Sequence, residues 1–328
     1  MKAIRRILVG IKNADATSLP ALTKAAQIAK ALDAEVELFQ CLDDTIYLEM
    51  PGRSGVSLRK LQTERREQSI LRLENFAHRI RRHGVSAWAH ADWDFPAYEA
   101  LIRRANKINA DLIIVERHLG KHHAPWLLSY TDWGLLRHSE LPVLIVKSTQ
   151  PYRHPTVLAA VDPQHAHAKP ARLDDEILQS AATWATALRG KLQVVHAFSP
   201  PTLIDGSAGI AAAGLASDLI EGAEHQAKVT LTELLAAKRI KPAASHIANA
   251  PPAIAIPATA KRTGAKLVVM GAVSRSAFKR VFIGNTAEQV LDALPCDVLV
   301  VKPPGFVTDI AKRSRGARVA VAPIGAVA

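Results

Sequence analysis

The chain has 328 residues, 48% of them hydrophobic and 22% charged, enough for two soluble domains with their own cores. Its longest apolar runs, such as VLIV and LVVM, are too short to cross a bilayer, which excludes a membrane-spanning reading. The net charge of +12 favours anionic partners. The excess is nevertheless dispersed, with Arg79, Arg81 and Arg82 ending one helix and Lys312, Arg313, Arg315 and Arg318 near the C-terminus. No RNP-like, zinc-finger or helix-turn-helix pattern accompanies these residues, so solvated faces are the expected role and nucleic acid is disfavoured. Two cysteines, Cys41 and Cys296, are too few for a disulfide framework and suit a reduced cytoplasm. The N-terminus is basic and then apolar, but the apolar part stops at Lys12, short of a signal peptide.

In chain order, RILVGI reads as a strand, followed by a helix over LPALTKAAQIAKALD with Leu22, Ala25, Ala26 and Ala29 on one face. EVELFQC is the next strand. A long helix at Leu61–His83 carries the stripe Ile70, Leu73, Ala77 and Ile80, and Gly84 stops it. VSAWAHA, a helix at Tyr98–Asn106, DLIIVE, a helix at Asp132–His138 and VLIVK complete the first half. The second half repeats the pattern with strands VLAAV, LQVVHAF, ASHIAN, KLVVMGA and DVLVVK. A Gly/Ala-rich insertion, Ser199–Asp218, reads as a candidate mobile lid, and the residues from 306 to 328 as a flexible tail.

The halves are one unit written twice. ADLIIVERH at Ala110 matches AKLVVMGAV at Ala265, and VLIVK at Val143 matches VLVVK at Val298, both 155 residues apart. The expected domains are residues 1–150 and 155–305, joined by the proline-bearing KSTQPYRHP. Nearly continuous apolar strands separated by helices predict two doubly wound five-stranded parallel sheets, an α/β fold of Rossmann-like type. The apolar edge strands VLIVK and VLVVK predict that the units pack as a pseudo-dimer, with a further homodimer left open.

Such sheets bind ligands outside the carboxyl ends of their strands. In the second half those ends carry Asp162 and Gly271. From Gly271 the chain runs through Ser274, Arg275, Lys279 and Arg280 to Gly284, Asn285 and Thr286. Glycines before a helix let backbone N–H groups approach an anion. This constellation resembles the universal stress protein family, whose nucleotide-binding members carry G-x2-G-x9-G and then a small hydroxyl residue. The resemblance covers residues 4–304. It implies a cytoplasmic stress role without a settled reaction, and an adenine nucleotide, ATP or AMP, as ligand. Asp162 would then lie near base and ribose, and Gly271, Ser274, Arg275, Gly284, Asn285 and Thr286 on ribose and phosphates. Ser274 replaces the second glycine, and Asn285 replaces the hydroxyl residue with Thr286 one place on. The first half has lost the pattern, with Lys12 in place of the Asp, Glu116 and Leu119 in place of the first two loop positions, and Ser129–Tyr130 in place of Gly–Asn.

Plainer roles stand beside these. Gly284 equally well ends a loop before a helix, with Thr286 as its N-cap or a first-turn residue. His165 with His167, and His118 with His122 and His123, lack the cysteine or paired carboxylates of a metal site. Asp132–Trp133 reads as a helix-start acid beside a packing aromatic. Cys41 reads as an inert strand residue and Cys296 as the more accessible thiol. No G-x-S-x-G, complete Walker loop or H-E-x-x-H is present, so no enzyme activity is expected, with weak ATP hydrolysis left open. A binder of an apolar or lipid-like ligand, with the insertion folded over it, and a partner-docking protein without a small ligand remain the alternatives.

Overall fold

The computed structural model describes residues 3–16, 19–48, 57–116, 130–165, 172–199, 210–271 and 285–321. They divide into two compact units. The first is Lys2–Pro151 together with the segment from Val307 onward, and the second is Tyr152–Phe306. In the first unit the elements are β1 (Arg6–Gly10), α1 (Pro20–Leu32), β2 (Glu35–Leu42), β3 (Thr45–Leu48), α2 (Leu58–Arg81), β4 (Ala87–Trp93), α3 (Ala97–Lys107), β5 (Leu112–Glu116), α4 (Tyr130–His138) and β6 (Val143–Val146). Its sheet runs β4-β2-β1-β5-β6, every pair parallel. The second unit holds β7 (Thr156–Val161), α5 (Leu173–Ala187), β8 (Lys191–Phe198), α6 (Ile210–Ala237), β9 (Ala244–Asn249), α7 (Pro252–Thr263), β10 (Leu267–Gly271), α8 (Asn285–Ala293) and β11 (Asp297–Val301). Its strands run β9-β8-β7-β10-β11, the same order and again parallel. Each unit is therefore a doubly wound five-stranded α/β domain, as the duplicated sequence predicts.

Burial on both faces explains the apolar strands. Ile7, Leu8, Val9, Leu112, Ile113 and Ile114 are wholly buried. The predicted faces of α1 and α2 largely turn inward, with Leu22, Ala25 and Ala29 of α1 and Leu73, Ala77 and Ile80 of α2 buried. Ala26 and Ile70 stay half-buried, and Ile28 and Phe76 fill the core beside their helices' buried residues. Helix α1 starts with Pro20, whose missing N–H costs nothing there, and ends at Asp33 in the left-handed region.

Several expectations change. Tyr152, in the expected linker, is buried and donates its hydroxyl to Asp297 Oδ2 at 2.6 Å, which anchors it in the second unit. Cys296 is buried too, so it is not the more accessible thiol. Part of the expected lid, residues 210–218, is the start of α6, while 200–209 lie outside the described residues.

The largest departure is the C-terminal segment. Residues 307–321 are not a free tail but an integral part of the first unit. A strand β12 (Arg318–Val321) pairs in parallel with β3, setting Val319 opposite Ile46. Asp309 Oδ1 meets His138 Nδ1 at 2.6 Å. The cause lies in two buried carboxylates beyond β4, Asp94 and Glu99. Arg103, its side chain only 7% exposed, donates to Asp94 through Nε at 2.7 Å and Nη2 at 2.9 Å, and to Glu99 through Nη1 at 2.9 Å. Arg315 supplies the second cation, with Nη2 at 2.8 and 2.9 Å from the two Glu99 oxygens and its backbone N–H at 2.9 Å from Asp94 Oδ1. Two buried anions need this much compensation to stay ionised.

Arg103→Ala leaves Asp94 without a side-chain cation and Glu99 with Arg315 alone, and should cost about 3–5 kcal/mol in urea unfolding. Arg315→Ala should cost clearly less, because its side chain stays half-exposed and solvent screens it. In the second unit, a Cβ on Gly190 would lie 2.0 Å from the carbonyl oxygen of Pro155. That oxygen also accepts the Lys191 N–H at 2.9 Å and cannot swing away freely. Gly190→Ala is expected to destabilise this unit by about 3 kcal/mol, the upper end for overpacking, in the same measurement.

Candidate functional site

A sheet covered on both faces leaves its strand ends as the place for polar chemistry. The order reverses between β7 and β10 in the second unit and between β1 and β5 in the first. In the second unit Val269 stands opposite Ala159. Strand β10 ends at Gly271 and β7 at Val161, with Asp162 the next residue. Two of the predicted site residues thus come together at the reversal. Helix α8, which begins at Asn285 and Thr286, links β10 to the parallel β11 and so must start at this carboxyl end. Ser274, Arg275 and Gly284 lie outside the described residues.

Gly271 has a packing role as well. A Cβ there would lie 2.6 Å from Cδ2 of Leu173, the first residue of α5. The half-buried Asp162 donates its backbone N–H to Asp174 Oδ1 at 3.2 Å. Asp174 is buried in an acidic first turn that also holds Asp175 and Glu176. These carboxylates complement the partial positive charge of the α5 N-terminus. Asp175 is already ion-paired with Lys238 at 2.6 Å.

The first unit uses the matching position differently. A cleft of about 100 Å³ lies among Gly10, Lys12, Cys41, Glu116 and Asp132. That is below the roughly 300–1,000 Å³ of ordinary small-molecule sites. Glu116 ends β5 and accepts the Ala21 N–H of the first turn of α1 at 3.0 Å through Oε2. The chain thus places its own anion at a helix N-terminus. Burial raises the Glu116 pKa, while the Ala21 hydrogen bond and the charge of buried Lys24 pull it back. Lys12, in the aspartate position, is exposed, and its carbonyl accepts from Gln40 Nε2 at 3.2 Å. The Cys41 thiol contacts the Asp94 carbonyl at 3.0 Å, and burial pushes its pKa far up, away from the reactive thiolate. Asp132 is buried in α4, where Gly134 packs against the Tyr98 ring. Among the described residues no three histidines, cysteines or carboxylates cluster as metal ligands, and of the five loop histidines only His165 lies within them.

With this geometry in view, the family model for universal stress proteins matches residues 3–147 and again 156–302. The chain belongs to the universal stress protein family. It is similar to universal stress protein E of Photorhabdus laumondii, at 26% identity over 293 residues, covering 88% of this chain and 91% of that one. Universal stress protein E of Salmonella typhi is 27% identical over 307 residues, covering 89% and 92%. Among solved structures, a functionally unknown protein from Pseudomonas aeruginosa shares 26% identity with a TM-score of 0.69, over 93% of this chain and 94% of that chain. A universal stress protein from Archaeoglobus fulgidus has the same fold at a TM-score of 0.61 and 19% identity.

For this tandem universal stress protein, sequence reasoning located the strand ends but missed what lines them. Asp174 was legible only as part of an acidic run opening a helix. His196, wholly buried on β8, presents Nδ1 to the Val161 carbonyl at 3.2 Å, and nothing in its strand pattern singled it out. The same holds for buried Lys24 beneath Glu116. In carboxylate-detected NMR titrations Glu116 should titrate above an ordinary glutamate. In Lys24→Met it should titrate higher still, since the cation that favours its charged form is gone.

Proposed function

We infer that this universal stress protein is a non-catalytic, cytoplasmic stress-response binding protein whose second unit holds an adenine nucleotide. The observation that carries the reading is that Gly271 ends β10 and Asp162 directly follows the end of β7, the two strands that flank the strand-order reversal, with α8 starting on the same side. Asp162 and Asp174 accept hydroxyl and amino protons of ribose and base. The Asn285–Thr286 end of α8 and the preceding Arg275 take the phosphates, by charge and backbone donation. The donor set fits such a ligand because the carboxylates and the helix start stand on different elements. The first unit does not take the same ligand, since Glu116 already fills a helix N-terminus there.

Calorimetry with ATP and with AMP tests this. Both should bind the intact protein, Asp162→Ala should weaken binding about tenfold, and Gly284→Val should abolish it, because a branched side chain blocks backbone approach. Unchanged binding to Gly284→Val overturns the assignment of the loop. Mass spectrometry of the purified protein that finds an acyl chain rather than a nucleotide turns the reading to the lipid-like alternative.

A further inference from the structure

Away from the strand-order reversal, the first unit holds a larger cavity of about 460 Å³. That volume lies within the range of small-molecule sites. Its wall is α3 on one side, and the returning C-terminal segment contributes Ile310, Lys312 and Ser314 on the other. Phe39, nearly fully buried, also lines it and stacks on His90 with ring centroids 6.1 Å apart.

The charges of this cavity sort into spent and unspent. Arg103 is committed to Asp94 and Glu99. Arg104 is committed to buried Glu37, with Nε 2.5 Å from Oε1 and Nη2 3.0 Å from Oε2. Lys107 at the end of α3 and Lys312 on the returning segment are exposed and form no ion pair among the described residues. Asp92 also lines the cavity, 3.2 Å from His90 Nε2. That hydrogen bond lowers its pKa, with added help from the charges of His90, Arg66 and Lys107 against the opposing effect of burial. The cavity thus offers two ammonium groups to one part of a guest and an ionised carboxylate to another. Asn106 and Ser314 add neutral donors and acceptors.

We propose that this cavity is a second ligand site, taking a phosphate ester of a small polyhydroxylated compound, with the phosphate on Lys107 and Lys312 and a hydroxyl on Asp92. A bare anion leaves Asp92 facing like charge, and a neutral polyol leaves both lysines unused. Only a guest carrying both groups satisfies the whole lining. The site exists because the C-terminal segment returns to the first unit, and it is independent of the cleft in the second.

The test is calorimetry on the full-length protein at low salt, with ribose 5-phosphate, ribose and inorganic phosphate as probes. Ribose 5-phosphate should bind best, phosphate more weakly, and ribose without measurable heat. Lys107→Ala and Lys312→Ala should each weaken ribose 5-phosphate roughly fivefold, as for exposed ion pairs, and both lysines are exposed enough to be removed without unfolding. Asp92→Asn should tighten inorganic phosphate while narrowing its gap to ribose 5-phosphate, a pattern that simple loss of positive charge does not produce. Absence of ribose 5-phosphate binding at millimolar concentration overturns the proposal. So does binding that the double variant Lys107→Ala/Lys312→Ala leaves unchanged.

Discussion

One hydrogen bond sets the two halves of this molecule apart: the carboxylate of Glu116 accepting the Ala21 N–H. Both units bury their sheets on both faces, so polar chemistry is confined to strand ends. At the end of the strand beside the first one, the first unit places a glutamate and the second a glycine. A glutamate brings a fixed anion, a partner in Lys24 and a small cleft. A glycine brings an open backbone that allows the Leu173 side chain to lie against it. The duplicated scaffold is unchanged, yet the two strand ends carry different groups.

A second carboxylate system organises the first unit's outer edge. Asp94 and Glu99 are buried together, and isolated from cations they would be too costly to keep ionised. Arg103 comes from the adjacent helix, and Arg315 from more than two hundred residues later in the chain. The guanidinium groups of Arg315 and Arg318 also lie over the Phe95 ring, at 5.7 and 4.5 Å from its centroid. Part of the chain's basic excess is therefore structural. It neutralises internal acids rather than awaiting an external polyanion.

The repeat, the five strands of each unit and the parallel sheets were legible in the sequence, because apolar runs of fixed spacing have few ways to bury both faces. The strands β3 and β12 were not, since four residues with mixed polarity carry too little periodic signal. The basic C-terminal run read as solvated tail because the acids it pairs with are distant in sequence, and no local pattern announces them. At the site, Asp162 and Gly271 stood out as strand-end residues. Asp174, His196 and Lys24 did not, because their roles depend on which backbone group or carboxylate the tertiary fold sets beside them. Thr286 was visible as a helix-start residue, which the first turn of α8 bears out.

The returning segment also orders events in time. Asp94 and Arg315 are separated by 221 positions. At about 5–20 residues per second, a ribosome releases the acid roughly 10–45 s before its distant counter-ion. For that interval the amino-terminal domain has only Arg103 to quiet two acids and has no partner for β3. The nascent chain must therefore hold an incomplete domain while the other half is synthesised, and a gene fragment ending at the domain junction would encode a protein that never reaches its finished edge.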